Sequence, residues 1–332
     1  MITGIKSLLQ QTDRILWGPW LIFLLLGTGC YLMIRLRFLP LKNLPAALRL
    51  VFCPECRKES GEAGVTSFSA LTTELAATIG TGNIVGVATA MVLGGPGALF
   101  WMILSGIIGL STKLVESMLC VRHQVKNQKG EPVGGPMYVL QNAFPQKKMG
   151  RILAVLFAVF AVLASFGMGN MTQGNSIAEA LTVTFQIKQT VTGLVLSLLT
   201  ILVILGGIGA IAGVTAYLVP CMAVFYLFGT GMVIFTHLQN LPAGILQILW
   251  GAFCPESMAG GTVGFLWAAG SGAVHSGRLA MRYGVSRGVF SNEAGLGAAG
   301  ISAAAADTQD PVRQGYISMT GVFIDTIVIC SL

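Results

Sequence analysis

Residues 73–100 read TELAATIGTGNIVGVATAMVLGGPGALF and decide what kind of fold this chain adopts. The stretch is apolar enough to cross a bilayer, which takes about 20 residues in helical form. Yet it carries Gly80, Gly82 and Asn83 at its middle. Two glycines one residue apart weaken a helix at a depth where no water can repair the hydrogen-bond ladder. If the chain unwinds there, the N–H groups of Thr81, Gly82 and Asn83 face outward to meet an anion, and carbonyls such as those of Ala76 and Ile79 are free to meet a cation. A zwitterion and a small cation would fit that description. Alternatively, the glycines only let a second helix approach. Asn83, flanked by Thr78 and Thr81, favours a site, because polar groups at the bilayer midplane are costly without partners.

The rest of the chain gives that stretch a membrane setting. Of 332 residues, 54% are hydrophobic and only 10% charged, with a mean hydropathy of +0.77. A soluble domain carries about 25% charged residues, so a water-facing globule is excluded. Glycine, 43 of 332 residues, suits helices that pack closely in lipid. Apolar runs predict eight spans, near Trp17–Ile34, Phe68–Leu93, Leu99–Val121, Ile152–Met171, Val191–Ile211, Ala216–Phe235, Thr262–Tyr283 and Ile317 to the end. The first span lacks a small-residue cleavage site and is expected to be retained. The net charge of +7 lies between apolar runs rather than on one basic face, so it points to orientation in the membrane and not to nucleic acid.

Lys and Arg cluster in alternate loops. Arg35, Arg37, Lys42, Arg49, Arg57 and Lys58 flank the loop after the first span. Lys113, Arg122, Lys126, Lys129, Lys147, Lys148 and Arg151 lie in or beside the loop after the third, and Arg278, Arg282, Arg287 and Arg313 follow the seventh. Placing these on the cytoplasmic side puts the amino terminus outside. The chain stops in the apolar run FIDTIVICSL and reads as truncated. Seven scattered cysteines make no disulfide framework, and Cys53 and Cys56 in CPEC supply only half of a zinc site. No HExxH, Walker loop or nucleophile elbow is present, so nothing supports an enzyme or a bound cofactor.

Five ordered motifs carry a resemblance: TIGTGNIVGVATA (Thr78 to Ala90), GGPGALFW (Gly94 to Trp101), GGPMYVL (Gly134 to Leu140), RGVFSNEAGLG (Arg287 to Gly297) and PVRQG (Pro311 to Gly315). Together they resemble the alanine or glycine:cation symporter family. The resemblance implies sodium-coupled uptake of small neutral amino acids, alanine or glycine, across the cytoplasmic (inner) membrane. The implied fold is an all-α, leucine-transporter-like bundle of two inverted five-helix repeats. Here it would be incomplete: residues 1–64 form an extra helix and a basic loop, and residues 65–332 form the core. The first repeat would run to about residue 240, and the second would start within 260–332 with core helices six and seven.

The family pattern G-x-G-N matches Gly80 to Asn83. Carried over, the N–H groups of Thr81 and Gly82 bind the substrate carboxylate, and the carbonyls of Ala76 and Ile79 supply part of a sodium site. Thr78 and Asn83 match a second sodium site of some relatives. The resemblance also puts Gln173 on the substrate, at the amide-rich end of the fourth span. It puts Ser271 and Gly272 in a second broken helix within AAGSGAVHSG (Ala268 to Gly277). Here the sequence departs from relatives that carry an acid near Ser271, which leaves the substrate's amino group with less charge compensation. SNEAGLG (Ser291 to Gly297) would be a cytoplasmic gate linker, with Ser291 or Asn292 capping the next helix.

Among charged residues in the spans, Lys113 and Glu116 are three apart and expected to pair with each other. Asp325 has no local cation and needs a partner from another helix, which makes it an ion-site or gate candidate. The competing reading is a non-transporting remnant or membrane scaffold, since core helix eight, which completes the sodium site at Ala76 and Ile79, is not in the sequence.

Overall fold

A computed structural model describes residues 18–54, 65–167, 169–253 and 280–332, with Ser7, Gln11 and Thr12. Helices account for nearly all regular structure there. In chain order they are α1 (Pro19–Arg35), α2 (Leu44–Phe52), α3 (Ser67–Thr78), α4 (Val87–Gly94), α5 (Gly97–Arg122), α6 (Pro136–Ala143) and α7 (Lys147–Ser165). There follow α8 (Asn170–Phe185), α9 (Gln189–Ile204), α10 (Gly207–Thr236), α11 (Leu241–Phe253), α12 (Ala280–Asn292), α13 (Ala298–Ala303) and α14 (Pro311–Val322). A two-residue antiparallel hairpin after α5 pairs Val125 with Val133 and Lys126 with Pro132.

Local chemistry sets several boundaries. The Thr66 hydroxyl accepts the Ser69 N–H at 3.0 Å and starts α3. Asp310 accepts the N–H groups of Val312 and Arg313, and Pro311 opens α14 where a missing N–H costs nothing.

Two segments wind as π-helix, Gly82–Gly86 before α4 and Phe323–Ile329 after α14. Each widens the helix and redirects the side chains that follow it, an arrangement frequent at functional sites.

The long helix α5 is the buried axis of the bundle. Helices α1, α12, α14 and α11 pack on it, and α12 and α14 meet it most extensively. Small residues make the approach close. A side chain at Gly288 of α12 would run into Ser105 and Met102 of α5, and one at Gly106 of α5 would meet Thr326. On the far side of the bundle, α7, α9 and α10 turn apolar residues outward. Tyr217 is 84% and Phe225 80% exposed, a surface that water would not tolerate at this extent and that lipid would.

Among the described residues, three helical stretches are long and apolar enough to cross a bilayer: Gly97–Arg122, Lys147–Phe185 and Gly207–Thr236. A fourth is the bent pair Ser67–Thr78 and Gly82–Gly94, whose halves meet at 49°. The fold is thus all-α with several helices able to span a membrane.

Some boundaries differ from the sequence expectation. Within Lys147–Phe185 the winding is interrupted, α7 ending at Ser165 and α8 starting at Asn170 with Gly169 at a φ of 86° before it, so the expected fourth span falls across two helices. The sixth begins earlier, at Gly207. Helix α11 was not expected, because its 13 residues fall short of the length that marks a span. Most of the expected seventh span, with Ser271 and Gly272, lies outside the described residues.

Candidate functional site

The interruption expected in the first core span is present. Helix α3 stops at Thr78, Ile79 and Gly80 are bent, and winding resumes from Thr81 into the π segment. Asn83 organises the gap. Its Oδ1 accepts the Gly80 N–H at 2.9 Å, while the Asn83 N–H donates to the Gly80 carbonyl at 3.2 Å. This reciprocal pair has the logic of a capping box, with the side chain three residues in reaching back to the residue that opens the helix.

The consequence for the carbonyls is direct. A continuous helix would send the Gly80 N–H to Ala76 and the Asn83 N–H to Ile79. Both donors are diverted, so the two carbonyls singled out for a cation lose their ordinary i+4 partners. Thr81 and Gly82 occupy the first turn of the resumed helix, where N–H groups precede any intrahelical acceptor. The sequence expectation also counted the N–H of Asn83 as free for an anion. The structure corrects this, since that group is committed to Gly80.

A small pocket opens at the gap. It is lined by Thr78, Thr81 and Gly82 of the interrupted helix, by Thr172 and Gln173 of α8, and by Ser291 of α12, among others. Thus Thr78, Thr81, Gly82 and Gln173 do come together. The Gln173 amide lies over Gly80, where an added Cβ would come within 2.9 Å of its Nε2. Close approach and an open site therefore coexist: Gly80 admits a side chain from another helix, whereas a Cβ on Gly82 would find its nearest neighbours, in Ser291, at 3.9 Å.

Behind the pocket lies a fully buried polar network. Asp325, 0% exposed, sits on the second π segment. Its Oδ1 accepts from Asn83 Nδ2 at 2.7 Å, and its Oδ2 accepts from Ser291 Oγ at 2.8 Å and Thr326 Oγ1 at 2.9 Å. Thr326 Oγ1 in turn accepts from Asn292 Nδ2 at 3.0 Å. Asn83 Nδ2 also lies 3.3 Å from Cys330 Sγ. Asn83 and Ser291 reach Asp325 from other helices, as expected, and Thr326 from its own segment, but among the described residues its hydrogen-bonding partners are neutral donors rather than a cation.

SNEAGLG, expected as a gate linker, also reaches the first gap. Helix α12 ends at Asn292, the chain turns through Glu293 (φ 55°), Gly295 and Gly297, and α13 follows. This second interruption brings Phe290, Ser291 and Glu293 to the pocket. The available signal was the same glycine spacing, Gly295 and Gly297, that marked the first gap. Nor does Asn292 or Ser291 cap α13: Asn292 Oδ1 accepts the Ala294 N–H at 3.0 Å, and Ser291 is engaged with Asp325.

The expected Lys113–Glu116 pair does not form as such. Lys113 Nζ binds Glu74 Oε1 of α3 at 2.6 Å and donates to the Asn292 carbonyl at 3.1 Å. Glu116 instead accepts the backbone N–H groups of Gly295, at 2.9 Å, and Gly300, at 3.3 Å. Helical neighbours can pair, but both side chains point into packed helices that offer better partners.

An apolar helical bundle with two interrupted helices meeting at a polar pocket is the architecture of a membrane transporter. The chain belongs to the sodium:alanine symporter family, whose model matches residues 2–332. It is 46% identical over 326 residues to the sodium/alanine symporter AgcS of Methanococcus maripaludis, covering 98% of this chain and 69% of that protein. It is equally similar, 46% over 330 residues, to an uncharacterized transporter of Haemophilus influenzae, covering 99% of this chain and 68% of the relative. A probable sodium/glutamine symporter, GlnT of Bacillus subtilis, is 37% identical over 328 residues, 98% of this chain and 64% of that one. The chain thus spans about two thirds of the length of these relatives. It is a multi-pass membrane protein of a transporter family, not an enzyme.

Proposed function

We propose that this protein carries alanine or glycine together with sodium across the cytoplasmic membrane, with the two interrupted helices as the binding centre. The arrangement is read as leucine-transporter-like, with an extra helix before residue 65 and repeats that begin near residues 65 and 260. Eight spans and an external amino terminus complete that reading. In it, the N–H groups of Thr81 and Gly82 hold the substrate carboxylate, and Gln173 contacts the substrate through an amide that both donates and accepts. Ser271 and Gly272 are assigned to the same substrate from the sequence.

The carbonyls of Ala76 and Ile79 contribute to one sodium site. Thr78 and Asn83 contribute to a second, and Asp325 is its charge. A buried carboxylate whose oxygens accept only from neutral groups is an electrostatic deficit that a monovalent cation would fill. Rocking of one helix group against another around this centre alternates access. Sodium and substrate each favour the same closed state, and that shared preference is the coupling.

The observation that carries the reading is the diversion of the Gly80 and Asn83 N–H groups, which strips Ala76 and Ile79 of donors beside a pocket that already contains Gln173. Its test is uptake of labelled alanine into proteoliposomes with and without an inward sodium gradient. Gly82→Leu projects a side chain across the space toward Ser291 and is expected to abolish sodium-dependent uptake. Undiminished uptake would reject the pocket as the substrate site.

A further inference from the structure

Lys113 and Glu116 lie one turn apart on α5, the buried axis of the bundle, and each grips one side of the second interruption. Lys113 is 1% exposed, as is Glu74 beside it. Its Nζ reaches the carbonyl of Asn292, the last residue of α12, where helix carbonyls have no intrahelical donor and carry the negative end of the dipole. Glu116 accepts the N–H of Gly295 in the turn and of Gly300 in the first turn of α13, where N–H groups lack acceptors and carry the positive end. A cation therefore meets the outgoing end of one half-helix and an anion the incoming end of the other. The separation of the two charges along α5 sets the separation of the ends.

Glu74 extends the arrangement to the first interruption. It belongs to α3, whose end at Thr78 borders the pocket, so the single ammonium of Lys113 joins the half-helix before one gap to the half-helix before the other. None of these three carboxylate or ammonium groups lines the pocket. Their effect on a ligand there passes through Ser291, Glu293 and Thr78, which do.

We infer that Lys113 and Glu116 are positioning residues that hold the second interruption in register with the first, so that the pocket takes the shape the transported amino acid requires. This rests on the reading of that pocket as the substrate site. Charge balance alone is a different role, and the two roles separate experimentally. Lys113→Met combined with Glu74→Gln removes one charge of each sign and leaves the local net charge unchanged, yet the tie to the Asn292 carbonyl is gone. Positioning predicts that the alanine concentration for half-maximal sodium-dependent uptake rises tenfold or more. Charge balancing predicts the wild-type value.

Glu116 provides the second arm and decides the matter if the double variant does not fold. Glu116→Leu removes both acceptors and should raise the same concentration at least tenfold. Glu116→Gln keeps one acceptor oxygen and should recover most of the loss. A half-maximal concentration within twofold of wild type in Glu116→Leu, or in a folded double variant, overturns the inference. The two readings also fail differently. If Gly82→Leu transports normally, the pocket itself is wrong. If Gly82→Leu is dead while Glu116→Leu keeps wild-type affinity, only the positioning role falls.

Discussion

The two interruptions at the pocket are built in opposite ways. At Ile79–Thr81 the chain is held by one neutral side chain, Asn83, which closes a local loop onto Gly80 and reaches Asp325 with its other end. At Glu293–Gly297 the chain is held by full charges from a different helix, Lys113 at one end and Glu116 at the other. The first gap depends on a buried side chain that also binds Asp325 and directly follows Gly82 of the pocket lining. The second depends on groups set back from it. A ligand arriving at the pocket meets one gap held by neutral hydrogen bonds and one held by scaffold charges.

The largest effect that would test this contrast is on stability. Lys113→Met alone leaves Glu74 buried without its counter-charge, and breaking one partner of a buried pair costs about 3–5 kcal/mol. Thermal unfolding of the purified protein should show a clear loss, with part of it restored when Glu74→Gln is added. An unchanged transition in Lys113→Met would mean the charges do not anchor the second gap.

Next comes Asp325→Asn. The hydroxyls of Ser291 and Thr326 can rotate to accept from the new amide, so the network keeps its shape while losing its charge. The sodium concentration for half-maximal alanine uptake should rise about tenfold, a loss of ~1.4 kcal/mol. Unaltered sodium dependence would remove Asp325 from the ion site.

The smallest expected effect belongs to Gly80→Ala. The new methyl meets only the mobile end of Gln173, so folding should be nearly unaffected while the amide is displaced. Alanine affinity should fall by about threefold, or ~0.7 kcal/mol, within the range of one neutral hydrogen bond. An affinity equal to wild type would say that Gln173 does not touch the substrate.

How much of this was legible beforehand differs from residue to residue. The gap at Gly80–Asn83 could be read directly, because it arises from local preference: two glycines, an asparagine and an apolar setting. Gln173 joined it only through resemblance, since nothing local says that α8 crosses that gap. The pairing of Lys113 with Glu116 was misread because helical spacing reports which side chains can meet, not what stands opposite them. In a packed bundle, Glu74 and the free ends of two half-helices stood opposite and won. The place of SNEAGLG beside the pocket was not legible for the same reason: its glycines mark an interruption, but not its neighbours.

By itself the sequence determined that this chain is a helical membrane protein with a helix interrupted at Gly80–Asn83, because hydropathy, glycine content and backbone propensity act over short distances and need no partner. Only the tertiary structure decided which second interruption faces the first, that Asp325 is enclosed by Asn83, Ser291 and Thr326, and that Lys113 serves two helices at once. Those outcomes depend on which buried polar groups can satisfy one another across long separations in the chain, and that is settled by packing.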